Sequence, residues 1–329
     1  MLADQLGLHP LRKGSIRLKD ETRGLMRDRS DANNQEESVM ANNIELLAAY
    51  FTIAGDVYPL GPTELSPFPF RDRIEAAARA GYRGVGLIHE DVMATAGKIG
   101  LPEMKRILDD NGIKYVEMEF LLDWFADGER RRESDKIRAE MLEAAAALGM
   151  RDLKVGPGFH DPVADIPRMR DEFAQLCREA ADHGTSIVLE IMPWSNVRTI
   201  DTALGIVEGA AQPNGGILVD IWHLARGGID YNEVSKIPAQ YIGAVELDDA
   251  PKNVVGADLW EDTIHHRRLA GEGDLNPPAF IKAVQAAGYK GPYGVEILSA
   301  EFRKLPLEEM ARRSFETTMR QFEKLAVAA

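Results

Sequence analysis

The chain has 329 residues, a formal net charge of −14, and a composition that is 45% hydrophobic and 28% charged. These proportions are typical of a soluble globular protein with enough apolar residues for a large core. The negative charge repels nucleic-acid backbones and anionic membrane surfaces, so we expect neither as a partner. No apolar run approaches the roughly 18 residues of a membrane-spanning helix.

Cysteine usage and the first residues both bear on the cellular compartment. The one cysteine, Cys177, excludes an intrachain disulfide framework and favours a reducing environment. The opening stretch, MLADQLGLHPLRKGSIRLKDE, lacks the apolar core and small-residue cleavage site of a secretory signal. We therefore predict a cytoplasmic protein. Cys177 shares a helical face with Met169, Phe173 and Leu176, which indicates core packing rather than nucleophilic catalysis.

Residues 1–39 differ from the rest of the chain. They are charged, contain several Asn and Ser residues, and show no sustained apolar periodicity. We predict a disordered or non-native N-terminal tail over 1–39, with an interface arm as the alternative, and a single folded domain over 40–329.

From residue 44 onward, short apolar runs alternate with segments of helical periodicity. Helical segments such as RIEAAARAGY end in a glycine that stops the helix before the next run. The spacing is close to the roughly 30 residues per unit of a (β/α)8 barrel. An open doubly wound sheet would need a Gly-rich phosphate loop after its first strand, where this chain has GDVYPLGPTELSPF. We predict an α/β fold, a single (β/α)8 TIM barrel, whose strands fall within 44–55, 84–89, 113–120, 152–158, 186–194, 215–223, 241–249 and 293–298.

Four consecutive predicted strands, the fifth to the eighth, end in a carboxylate. In a TIM barrel the catalytic groups project from the C-terminal strand ends, so these acids are expected to meet at one rim. Unpaired carboxylates held close together repel, and a divalent cation removes that repulsion. All-oxygen ligation suits Mn²⁺ or Mg²⁺, with Co²⁺ or Zn²⁺ as alternatives. We predict one divalent metal ion rather than a salt-bridged rim, with the ligands Glu190, Asp220, Glu246 and Glu296.

The segments LEIMPW, VDIWHLARGG, VELDDA, RRLAGEGDL and GPYGVEIL together resemble the xylose isomerase-like TIM-barrel superfamily of sugar isomerases and epimerases. Its relatives include inosose and 3-dehydroshikimate dehydratases, and the resemblance covers roughly residues 45–325. It implies that the four strand-end acids hold one metal ion and that His223 contacts the substrate. It also implies that an arginine of the RRLAGEGDL segment points at the substrate. Arg268 matches best, with Arg267 as the alternative.

One departure from the family pattern lies at the third metal ligand. Relatives most often have His there, and some dehydratase-like members have Gln, whereas this chain has Glu246. A fourth carboxylate leaves the ligand set near −2 around a 2+ ion, so nearby cations or a proton must compensate. The departure disfavours zinc and weakens a simple assignment as an epimerase.

The resemblance implies proton abstraction next to a carbonyl or hydroxyl, with a metal-stabilised enediolate. Glu190 and Glu296, on opposite sides of the substrate, are the catalytic candidates because two such groups can exchange a proton at one carbon. We predict an isomerase or epimerase of a sugar or cyclic polyol. A lyase or dehydratase on the same scaffold, including elimination from a keto-glycoside, is the alternative. A non-catalytic partner subunit is a minor one. Phosphodiester cleavage is disfavoured by the charge and the small number of histidines.

The remaining site candidates are polar or aromatic residues near strand ends. His89 and Glu119 could equally be polar loop residues without a role in the site. Trp194 and Trp222 could wall the pocket or simply pack against their neighbours. His265 and His266 are expected in a loop, and Asp249 is expected to cap the segment after the strand. From family expectation alone, a homodimer or homotetramer is possible. The predicted substrate-binding residues are His223, Arg268, Lys154, His89, Glu119, Trp194 and Asp248.

Overall fold

The computed structural model describes residues 44–160 and 163–328. Eight parallel strands form a closed barrel in the order of the sequence, β1 to β8, with β8 pairing with β1. The prediction of a single (β/α)8 barrel is confirmed, while the prediction for 1–39 lies outside the described residues. The strands are β1 Leu46–Ala48, β2 Gly84–Ile88, β3 Tyr115–Leu121, β4 Asp152–Val155, β5 Ser186–Glu190, β6 Gly215–Asp220, β7 Ile242–Leu247 and β8 Tyr293–Val295.

Helices connect the strands and surround the barrel. Glycines in left-handed conformation end two of them, Gly81 at φ 113° and Gly149 at φ 68°, as the sequence indicates. The helices are α1 Tyr50–Ile53, α2 Phe70–Ala80, α3 His89–Ile99, α4 Leu101–Asp110, α5 Gly128–Leu148, α6 Ile166–Asp182, α7 Ile200–Ala210, α8 Ile221–Arg226, α9 Leu259–His265, α10 Pro277–Ala286 and α11 Leu307–Ala328. Short 3₁₀ helices occupy Tyr231–Lys236, Ala239–Tyr241 and Phe302–Lys304.

The main hydrophobic core lies between the barrel and its helices. Cys177 is part of it, with no exposed surface, and burial raises the pKa of its thiol to about 12. This agrees with a packing role. Among the described residues, no helix combines the length and the apolar composition that crossing a membrane requires.

The barrel interior is layered. A small apolar cluster of Val188, Leu218 and Ala244 lies inside it, separate from the main core. Because side chains alternate along a strand, residues two positions further on point to the same interior. From these three strands, that step leads to Glu190, Asp220 and Glu246 at the C-terminal end. The apolar layer therefore lies directly below the strand-end acids.

Candidate active site

Register brings the four strand-end acids to one level of the barrel. Asp220 of β6 is paired with Glu246 of β7, and Glu246 is paired with Gly294 of β8, two residues before Glu296. Glu190 is the last residue of β5. All four side chains are buried. We call Glu190, Asp220, Glu246 and Glu296 the carboxylate centre.

The carboxylate centre has the spacing of a metal site. Glu190, Asp220 and His223 offer ligand atoms that all lie within 4.8 Å of one another, and so do Asp220, Glu246 and Glu296. Asp220 belongs to both groups. These acids could therefore hold a cation between them, with Asp220 as the shared ligand.

Arg267 lies among the acids. Its Nη1 is 2.8 Å from Asp220 Oδ2, 2.5 Å from Asp248 Oδ2 and 3.0 Å from Glu296 Oε2. Thr263 accepts from its Nη2 at 2.8 Å. The guanidinium carbon lies 5.0 Å from the centre of the Trp222 ring, a cation–π contact. The side chain is thus fixed from several sides while fully buried.

Arg267 affects its acidic partners unequally. Burial raises the pKa of Asp220, but Arg267 and His223 outweigh burial and leave that pKa below its ordinary value. For Asp248 and Glu296, burial dominates and raises the pKa well above the usual range despite Arg267. A single cation therefore does not neutralise all three partners.

Lys154 provides the second buried cation. It extends from β4, forms an ion pair with Glu246, and its Nζ is 3.6 Å from Glu117 Oε2. Burial lowers the pKa of an ammonium group, yet Glu119, Glu246 and Glu117 raise that of Lys154 well above its ordinary value. Burial still raises the pKa of Glu246 to about 8. Lys154 is thus held inside the barrel between acids of β3 and β7.

His223 is oriented by two neighbouring acids. Its backbone N–H donates to Asp220 Oδ1 at 2.9 Å, which caps α8, and its Nε2 is 3.0 Å from Glu190 Oε1. Its Nδ1 is buried without a hydrogen-bond partner. The imidazole is therefore held against Glu190 through Nε2, while its buried Nδ1 has no protein partner.

A cavity of about 240 Å³ opens above the carboxylate centre. Polar groups line its deeper part, namely Glu119, Glu190, His223, Arg267 and Glu296. Oε1 of Glu119 is buried without a partner, and burial, with Glu190 and Glu117, raises the pKa of this acid. Much of the remaining lining is apolar or aromatic.

Most of the predicted site residues lie at or around this cavity. His89 and Trp194 line its walls, with His89 Nε2 2.7 Å from Glu140 Oε2 and the Trp194 ring 5.3 Å from that of His223. Asp248 is held against Arg267, and Lys154 lies inside the barrel, paired with Glu246.

Arg268 is the exception among the predicted substrate contacts. It pairs with Asp249 in an isolated antiparallel bridge, and its Nη1 donates to the carbonyl of Glu272 at 3.1 Å. Neighbouring residues in extended chain point to opposite sides. Arg267, the alternative from the sequence, lines the cavity instead, so the position expected for Arg268 is occupied by the preceding arginine.

Three residues of the connection after β7 have structural contacts, and one of them, His265, is the last residue of α9. His265 Nδ1 is 3.0 Å from Nη1 of Arg303, and His266 Nε2 is 4.0 Å from Glu261 Oε1. The Asp249 carboxylate accepts from the N–H groups of Gly271 and Leu275, each at 2.9 Å. Asp249 therefore orders the loop after β7.

The cavity residues that sequence reasoning missed include several on loops or on a short loop helix, among them Leu60, Glu64, Phe159 and Trp260. Leu60 and Glu64 follow β1, Phe159 follows β4, and Trp260 lies in α9. None belongs to a periodic segment, so no pattern in the sequence marks them.

The chain is thus a closed (β/α)8 barrel with buried acids at its C-terminal strand ends, the face on which TIM-barrel enzymes carry their active sites. The family model of the xylose isomerase-like TIM barrel matches residues 74–321. The chain belongs to this family.

Named relatives and solved structures resemble the chain at low identity. The 3-dehydroshikimate dehydratase of Pseudomonas aeruginosa is 27% identical over 241 residues, which are 71% of this chain and 37% of that protein. The chain thus spans little more than a third of this relative. The inosose isomerase of Halalkalibacterium halodurans is 25% identical over 232 residues, 67% of this chain and 79% of that one. The crystal structure of an IolI protein with a bound zinc atom has a TM-score of 0.75 at 20% identity, covering 86% of this chain and 99% of that chain.

Proposed function

We propose that the protein is a divalent-metal-dependent isomerase or epimerase that moves a proton next to a carbonyl in a sugar or cyclic polyol. The observation that carries the proposal is a surplus of buried acid. Two permanent cations, Arg267 and Lys154, form the ion pairs of this region in the described part of the chain. Six buried acids lie at this end of the barrel, namely Glu119, Glu190, Asp220, Glu246, Asp248 and Glu296, and Glu117 also lies 3.6 Å from Lys154.

The donor atoms of the carboxylate centre fit a divalent ion. Carboxylate oxygens are the ligands that hard cations prefer, which supports Mn²⁺ or Mg²⁺ over zinc. Glu190, Asp220, Glu246 and Glu296 would hold the ion, and His223 is close enough to share it. When bound, such an ion polarises a substrate carbonyl and stabilises negative charge that develops on its oxygen.

The protein's own residues take defined roles in this proposal. Glu190 accepts the proton of the substrate carbon, since it lines the cavity and His223 fixes its carboxylate. Glu296, which also lines the cavity, returns a proton from a different direction. Arg267 orients substrate oxygens, and Lys154 holds Glu246 in place.

A lyase acting on a keto-polyol is the second candidate. Elimination needs a proton donor for the departing hydroxyl, and His223, held between Glu190 and Arg267, can provide it. The names of the relatives support both candidates, since they include dehydratases and isomerases. Both reactions begin with the same proton abstraction. The substrate in either case is a small carbohydrate or polyol, and the cytoplasmic location and homo-oligomer stay predictions.

Deuterium wash-in from D₂O tests the proposal. The purified protein, loaded with Mn²⁺, is incubated with a panel of keto-sugars and inososes, and products are followed by NMR and mass spectrometry. Incorporation of deuterium with an isomeric product supports the isomerase, and loss of water supports the lyase. Absence of exchange across the panel, with equal results before and after chelation, would contradict both.

A further inference from the structure

The cavity has two parts of different chemistry. Its floor is formed by Glu119, Glu190, Glu296, His223 and Arg267. Its outer wall contains large apolar side chains from four separate loop regions. We call Leu60, Phe159, Trp194 and Trp260 the apolar vestibule. These loops follow β1, β4, β5 and β7, so the vestibule is assembled from around the barrel mouth.

The exposure of the vestibule is unusual for such residues. Leu60 is 74% exposed, Phe159 38% and Trp260 37%. Among the large hydrophobic residues that are exposed in the described ranges, the two aromatic ones are Phe159 and Trp260, and both line this cavity. Exposed apolar groups gathered at one place mark a binding surface more often than chance exposure.

Aromatic rings connect the vestibule to the floor. The Trp222 ring lies against Arg267, the Trp194 ring is 5.8 Å from Trp222, and the Trp260 ring is 6.2 Å from Trp194. The series runs from the buried acids to the solvent-exposed rim. The hydroxyl groups of a polyol find polar partners on the floor, whereas these rings offer apolar contact surface to a group attached to it.

We propose that the substrate is a conjugate, a keto-sugar or cyclic polyol that carries a planar aromatic group. The polyol ring lies on the floor beside the acids, and the aromatic group stacks in the vestibule. This inference rests on the proposed function, because it places the reacting ring at the carboxylate centre. Flat rings prefer edge-on and offset contacts with neighbouring rings, which the tryptophan series offers.

Calorimetry with two glucosides tests the conjugate. The Mn²⁺-loaded wild type is titrated with 4-nitrophenyl β-D-glucopyranoside and with methyl β-D-glucopyranoside, which share the sugar and differ in the apolar group. We expect the aryl glucoside to bind about tenfold more tightly. The ratio falls towards one in the Trp260→Ala and Phe159→Ala variants. Ile99→Ala, a substitution at another exposed hydrophobic that does not line the cavity, leaves the ratio unchanged.

Several outcomes would overturn the proposal that the substrate is an aromatic conjugate. They are equal affinity for both glucosides, no binding of the aryl glucoside, or an aryl preference that survives Trp260→Ala and Phe159→Ala together.

Sedimentation velocity tests whether a second copy of the chain, rather than a ligand, occupies the vestibule. An oligomer that dissociates on Trp260→Ala, with no change in the affinity ratio, would assign the vestibule to a second copy of the chain. If the protein catalyses deuterium exchange but shows no preference for the aryl glucoside, the conjugate substrate is rejected and the proposed function stands. If the protein prefers the aryl glucoside but neither catalyses deuterium exchange nor binds metal, the proposed function is rejected.

Discussion

Buried acids occupy both ends of the barrel interior, and their surroundings differ between the two ends. At the N-terminal end, Nη1 of Arg151 is 2.9 Å from Glu117 Oε1 and 2.6 Å from Asp152 Oδ2, and Nη2 donates to the carbonyl of Gly243 at 2.6 Å. Burial, reinforced by Glu117, raises the pKa of Asp152 to about 8. One arginine therefore contacts both buried acids at this end.

At the C-terminal end the acids also outnumber the cations, and three of them, Glu119, Glu190 and Glu296, line a cavity. Arg267 and Lys154 face the carboxylate centre together with Glu119 and Asp248. Arg151, Glu117 and Asp152 are not among the residues that line the cavity. The acids of the N-terminal end thus form ion pairs within the barrel, whereas acids of the C-terminal end lie at a cavity that a ligand can enter.

The largest effect is expected from Glu190→Gln. Loss of the proposed base lowers the rate of deuterium exchange about 100- to 10,000-fold, since a positioned acid–base group contributes on that scale. Glu64→Gln is the matched control, because Glu64 also lines the cavity but belongs to the loop after β1. A comparable loss of exchange in both variants, with folding intact by circular dichroism, would contradict the role of Glu190.

Removing the arginine at each end tests whether the two groups of buried acids differ in their access to a metal ion. Arg267→Met and Arg151→Met each leave buried acids without their partner, which costs about 3–5 kcal/mol of unfolding free energy in metal-free protein. Excess Mn²⁺ is expected to restore stability to Arg267→Met and not to Arg151→Met. Urea denaturation with and without Mn²⁺ measures both effects. Equal rescue of the two variants would show that the ends do not differ as described.

Lys154 and Glu246 are expected to depend on each other. Lys154→Met destabilises the wild type, because Glu246 then lacks its partner, and it destabilises Glu246→Gln less. The coupling in a double-mutant cycle should be about 0.5–3 kcal/mol. Additive effects of the two substitutions would argue that Lys154 serves another acid, such as Glu117 at 3.6 Å.

A further effect concerns the pH dependence of stability. The folded protein holds a proton on Asp152 up to about pH 8, whereas the unfolded chain releases it near the ordinary value of 3.8. The contribution of Asp152 to the free energy of unfolding therefore falls as pH rises through this window. Asp152→Asn should flatten the fall in a series of denaturation curves. A curve of unchanged slope would contradict the raised pKa.

Much of the fold was predictable because local pattern and topology agree. Eight apolar runs with helices between them indicate the closed barrel. The same topology brings the acids together, since parallel strands meet at one rim. Glu190, Asp220, Glu246 and Glu296 were therefore accessible from strand ends alone.

Other features depend on contacts that the sequence does not display. Which of Arg267 and Arg268 faces the cavity depends on the bridge between Asp249 and Arg268, which sets the direction of each side chain. Lys154 meets Glu246 across 92 positions of sequence. Phe159 and Trp260 come from segments outside the strands and carry no periodicity, so their approach to one cavity emerges from the folded barrel alone.

Calorimetric titration with Mn²⁺ tests the central claim most directly. Protein freed of metal by chelation is titrated, as wild type and as Glu246→Ala, in buffers of different ionisation enthalpy. We expect the wild type to bind one ion per chain with release of protons, since ligand carboxyls with raised pKa must ionise. Glu246→Ala should bind more weakly. No binding by the wild type, or equal binding by the variant, would contradict a metal site at the carboxylate centre.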